Sequence, residues 1–173
     1  EAQAVAQIDR NSDWAALSAR IEQAALAEDI VGLRTSRDEC LRLISTGTPA
    51  DAIPTWRYAV AYLHWRIVNH PSVPSADRDE ILDEASSQLE LALKADPRFA
   101  EAHALLASVL GMKIGSSMWR GITIGPRIGS SLERAVSMDP DNPRIILQEG
   151  IAAIHRPSMF GGGLDKAERF LRQ

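Results

Sequence analysis

One pattern of small and apolar residues is written twice along the chain, as Ala85-x3-Leu89-x2-Ala92-x4-Pro97 and Ile128-x3-Leu132-x2-Ala135-x4-Pro140. It begins a third time at Ala167-x3-Leu171. Residues three and four apart share one face of a helix, and a proline beyond the last of them stops it. Such copies constrain the chain to stack helix upon helix, each burying a narrow stripe against its neighbours. The hydrophobic fraction of 45% is enough for a sizeable core, while aromatics make up only 5%. The filling therefore comes mostly from alanine and aliphatic residues, which suits closely approaching helices.

The junctions after the two complete copies are short. Pro97-Arg98-Phe99 leads into a helical pattern from Ala100, and Asp139-Pro140-Asp141-Asn142 leads into one from Pro143. Proline is tolerated at the first helical position because its missing N–H would have no partner there. This helix–turn–helix unit resembles the tetratricopeptide (TPR) repeat, most clearly from Ala85 to Leu171. The resemblance implies packing positions at His103, Leu106, Ala107 and Leu110 in the third repeat. In the fourth it implies Ile146, Glu149, Gly150 and Ala153, with Glu149 a misfit. In the second they are Trp56, Ala59, Val60 and Leu63. In the first they are Trp14, Leu17, Ser18 and Ile21, followed by a helix from Ile30 to Ser45. The expected fold is all-α: a right-handed TPR-like superhelix of about four irregular helix pairs in one domain. The repeats would span roughly 12–49, 53–97, 100–140 and 143–173.

The copies are unevenly spaced. Pro97 to Pro140 is 43 residues and Ile128 to Ala167 is 39, against a family period of about 34. The surplus is expected in turns between paired helices. In the second repeat it falls near Asn69–Ser75, where Pro71 and Pro74 exclude a helix interior. Ser75 is expected to cap the next helix, with Asp77, Asp79 and Glu80 in its first turns. In the third repeat it falls between Gly111 and Gly129. That segment holds five of the 11 glycines, carries Lys113, Arg120 and Arg127 without an intervening acid, and includes Trp119. One reading is a partner-binding lip, with cations for an anion and Trp119 for an apolar or planar group. The other is a long turn whose glycines let two helices approach, with Trp119 in the core. The phosphate-loop pattern GxxxxGK[ST] is absent. In the fourth repeat, Pro157-x2-Phe160-Gly161-Gly162 resembles a motif of bacterial exported TPR-like proteins, among them helical subunits that accompany TRAP-type solute transporters. The second and third repeats are also similar to the microtubule-dynamics regulator family. Neither resemblance supplies a catalytic residue.

In a TPR stack the first helix of each repeat lines a concave groove. The resemblance therefore implies a partner-binding set of Arg57, Tyr58, His64 and Trp65, then Ser108 and Met112, then Arg144, Gln148 and His155. Lys113, Trp119 and Arg120 would form its rim. Any solvated helix face has a similar composition, so this set rests on repeat geometry alone. His64 and His70 are six residues apart and do not share a face, and His103 reads as a core histidine. No HExxH, Cys/His cluster or nucleophile-elbow signature occurs, so no metal, cofactor or catalytic chemistry is expected. A net charge of -4 and a pI near 5.6 argue against nucleic acid, and no run of 18 apolar residues exists to span a membrane. Cys40, in the helical phase of Leu41 and Ile44, reads as a buried or half-buried small residue. The start at Glu1-Ala2-Gln3 suits the end left by signal-peptide removal, which points to an exported, periplasmic protein. Tag removal would leave a similar end. The expected function is a non-catalytic scaffold presenting a groove to a peptide or protein. The alternative is a small-ligand receptor or transporter-associated subunit whose pocket is closed by residues 111–127.

Overall fold

The structure is a computed structural model that describes residues 16–46, 48–114, 118–155, 163–165 and 168. The described residues are helical with connecting turns and contain no strand. The chain divides into two compact units, Glu1–Gln88 and Leu89–Gln173, and one helix runs through the division.

The N-terminal unit holds α1 (16–26), α2 (Ile30–Ser45), α3 (Ile53–Val68) and the start of α4 (Arg78–Ala95). The turn from α1 to α2 is tight. Glu28 takes a positive φ of 51°, and Asp29 caps α2 by accepting the Gly32 N–H at 2.9 Å. Glycine at position 32 leaves room for the cap, because a Cβ there would push the Asp29 carboxylate out of its capping position. The α2 helix spans the residues expected from the sequence. The α3 helix is the organising element. Val60, Leu63, Ile67 and Val68 are all at most 1% exposed, and burying each contributes on the order of 1.5–3 kcal/mol. Val60, Leu63 and Ile67 pack with Leu17, Ile21, Leu33, Cys40, Trp56 and Ala59 in one core, which Val73 closes from the loop after α3. The expected packing residues of the first two repeats are therefore inside, except Ser18, which is half-buried, and Trp14, which lies outside the described residues. Ser75 does not act as expected: Ser75–Asp77 is a 3-10 turn of its own, and α4 begins at Arg78 with Asp79 and Glu80 in its first turn.

In the C-terminal unit, Leu89 and Ala92 of α4 are fully buried. The helix α5 (Ala100–Ile114) packs against α6 (Met118–Met138) and α7 (Pro143–His155). His103, Leu106, Ala107 and Leu110 are all buried, as the repeat pattern requires. The Nε2 of His103 lies 3.0 Å from the Pro97 carbonyl oxygen, which makes it a satisfied core histidine. The second pattern copy buries Leu132 and Ala135 and half-buries Ile128. The third copy, Ala167 and Leu171, gives no such comparison: its side chains lie outside the described residues.

Two expectations fail in this unit. The surplus residues of the third repeat do not form a long turn. From Met118 they are helix, extending α6 to 21 residues with Pro126 inside it. Proline removes a helical N–H, but Pro126 and Ile122 are both exposed, so water can serve the freed carbonyl. Nor do most of the described glycines there bring helices together. A Cβ at Gly111, Gly125 or Gly129 would meet nothing within 4 Å, and only one at Gly121 would touch the neighbouring helix, at 3.8 Å from Ile114. The second failure is the register of α7. Ile145, Gln148, Gly150 and Ala153 are buried, while Ile146 and Glu149 are half-buried. That small rotation lifts the Glu149 carboxylate toward water, where its charge costs less.

Cys40 is fully buried, and burial pushes its thiol up to about 12. A thiol-reactive dye should label the native protein no faster than it unfolds, and label denatured protein at once. Rapid native labelling would show that the core around Cys40 opens locally.

Candidate functional site

The α3 helix carries one aromatic stripe. Tyr58, Tyr62, Trp65 and Arg66 recur at spacings of three and four and so share a face; Tyr58 is buried, and Tyr62, Trp65 and Arg66 are half-buried. Tyr58 stacks on Tyr62 at 6.3 Å between centroids, and Tyr62 on Trp65 at 5.8 Å. The Arg66 guanidinium carbon lies 5.9 Å from the Tyr62 ring centre and 5.8 Å from that of Trp65, within cation–π range. The Tyr62 hydroxyl donates to Glu22 Oε1 of α1 at 2.8 Å, and the other Glu22 oxygen stands 3.8 Å from Arg66.

This stripe ends in a cleft of about 310 Å³ lined by Ala25, Leu33, Trp65, Arg66, Asn69 and His70, with Glu28 and Pro71 completing its walls. His70 fixes the geometry. Its Nδ1 accepts the Ser72 N–H at 3.1 Å, so the ring proton sits on Nε2, which donates to the Glu28 carbonyl at 2.9 Å. The loop after α3 is thereby tied to the turn before α2. The same corner exposes Leu26 (83%) and Val31 (69%). The walls are mainly apolar with a few polar groups at the edge, the composition of a contact site.

The residues singled out from the repeat pattern separate into two sets. Trp65 reaches the cleft, half-buried. Arg57 is also half-buried and donates to Gln88 Oε1 at 2.8 Å. Tyr58 (4% exposed) and His64 (2%) are inside the core rather than on a solvated groove, because α3 is enclosed on more sides than one groove-lining helix would be. In the C-terminal unit Gln148 is also buried and accepts the half-buried Ser108 hydroxyl. Met112 and Lys113 are half-buried. Arg144 is exposed and donates to Glu101 Oε2 at 3.4 Å. Trp119 is 80% exposed, so its core alternative fails. The basic segment is partly neutralised, since Arg127 donates to Glu90 Oε1 at 2.6 Å. The side chains of Arg120 and His155, and the Pro157–Gly162 motif, lie outside the described residues.

Tyr62, Arg66 and His70 were missed by the repeat reading. A search for aromatics and cations at helical spacing would have found the first two. His70 had no sequence signal, since its role depends on a turn 42 residues away. Among the described residues no three His, Cys, Asp or Glu side chains gather into a metal site, and no helix is long and apolar enough to cross a membrane. No protein-family model, curated protein or solved structure matches the chain.

His64 gives a pH handle on this unit. Burial, reinforced by Arg37 and opposed by Asp38, pulls its pKa from 6.5 down to about 4. Its Nε2 lies 3.2 Å from Glu84, but that carboxylate is largely exposed and does not outweigh the desolvation. The ring is therefore neutral at pH 7, and its buried Nδ1 has no hydrogen-bond partner. Between pH 6.5 and 4 the unfolded chain binds the proton and the folded chain does not. Acidification through that window lowers stability by up to about 3 kcal/mol, with no contribution above it. His64→Leu should flatten the fall in melting temperature between pH 7 and pH 4; an unchanged slope would rule out His64 as its source.

Proposed function

We propose that the chain is a non-catalytic binding scaffold that holds a peptide or protein partner, with the Trp65–Arg66 cleft as its contact centre. The observation that carries this reading is the cleft itself. It combines a half-buried tryptophan and arginine, both favoured in contact hot spots, with apolar walls and a hydrogen-bonded floor. The exposed Leu26 and Val31 extend the apolar character of that corner. On this reading the contact face shrinks from the twelve groove and rim residues expected from the sequence to the part of α3 that is not enclosed. The small-ligand alternative has less support, because the segment meant to close over its pocket is helical from Met118 onward.

Selection of a random peptide display library on the full chain tests the proposal. Enriched peptides should lose at least tenfold in affinity on Trp65→Ala and keep it on Trp119→Ala, with helicity unchanged in both. The proposal fails if no common sequence emerges, or if the selected peptides bind Trp65→Ala as well as the parent.

A further inference from the structure

The cleft holds a cation whose donors are idle. Arg66 keeps 28% side-chain exposure, and its nearest acid, Glu22, stands at 3.8 Å, beyond hydrogen-bond reach. One Glu22 oxygen is already taken by the Tyr62 hydroxyl. Among the described residues no acceptor stands within hydrogen-bond distance of the guanidinium, whose ion pair with Glu22 is long. The guanidinium lies within cation–π range of both rings, a contact that uses none of its N–H groups. Resting on the cleft as contact centre, we infer that it selects a peptide segment carrying a carboxylate beside a large apolar side chain.

Two magnitudes and the lining favour this ligand. A cleft of about 310 Å³ is at the lower limit of small-molecule sites, which suits one anchoring side chain better than a cofactor. The apolar walls of Ala25, Leu33, Trp65 and Pro71 take that side chain. The Arg66–Glu22 pair, long and partly exposed, is worth less than about 1 kcal/mol, so a carboxylate making two charge-assisted bonds displaces it. The neighbouring Glu22 and Glu28 repel extended polyanions. They repel a single carboxylate less than a polyanion, so a lone carboxylate held by the fork is the anion best tolerated here, ahead of nucleic acid or an anionic membrane.

The test compares acetyl-leucyl-aspartate amide with its asparagine counterpart, which differ only in carboxylate against carboxamide. Each is titrated into the full chain while the Trp65 indole and Arg66 Nε–H resonances are followed. The aspartate peptide should shift both signals and bind at least tenfold tighter, with an affinity that falls as salt rises. Arg66→Gln should erase the difference, and Arg66→Lys should restore only part of it, since lysine returns the charge without the fork. Equal affinities, or a preference that survives Arg66→Gln, would overturn the inference, as would binding that leaves both resonances unmoved. Failure of both peptides to bind overturns the ligand class alone, because the display experiment on Trp65→Ala decides separately whether the cleft is a contact centre.

Discussion

Enclosure of α3 is the constraint on which the N-terminal unit depends. Ten of its 16 residues are buried, including Tyr58 and His64. A helix buried on most sides has little face left for recognition, so the stripe that remains is narrow and specific. Tyr62, Trp65 and Arg66 occupy it because they combine apolar bodies with polar ends that can stay wet. The same enclosure makes His64 a neutral group. Its desolvation outweighs an exposed glutamate at 3.2 Å, as expected when one partner of a pair is immersed and the other is hydrated.

The scaffold was legible in the sequence to the extent that it depended on local pattern. The helix over Ile30–Ser45, the buried set Trp56, Ala59, Val60 and Leu63, and the core histidine His103 follow from helical spacing and turn prolines. Local pattern says less about how far around a helix burial extends. That depends on how many neighbours arrive, and it is why Tyr58, His64 and Gln148 were placed on a groove and lie inside. Irregular spacing between repeats was likewise readable, but not its form. Residues after Met118 carry glycine and proline yet continue α6, because their apolar positions Ile124, Ile128 and Leu132 keep a helical phase that outweighs local propensity.

The cleft was legible only in part. Trp65 could be picked as an aromatic at a groove position, whereas His70 acquires meaning from the Glu28 carbonyl, which a positive φ turns toward it. A backbone acceptor leaves no trace in the identity of its residue, so hydrogen bonds of this kind escape any reading by residue type.

The two aromatic features of the chain differ in how they are held, and that difference decides between them as recognition sites. Trp119 stands 80% exposed near the start of α6, and among the described residues no ring contact accompanies it. Ordering such a side chain against a partner costs conformational entropy at the moment of binding. Trp65 is stacked on Tyr62, flanked by Arg66 and half-buried before any partner arrives. Much of that cost is met during folding, when α3 docks into its core. Preorganisation of this kind would let a small cleft discriminate between partners, and on the proposed reading it ties recognition to the same helix that organises the N-terminal unit.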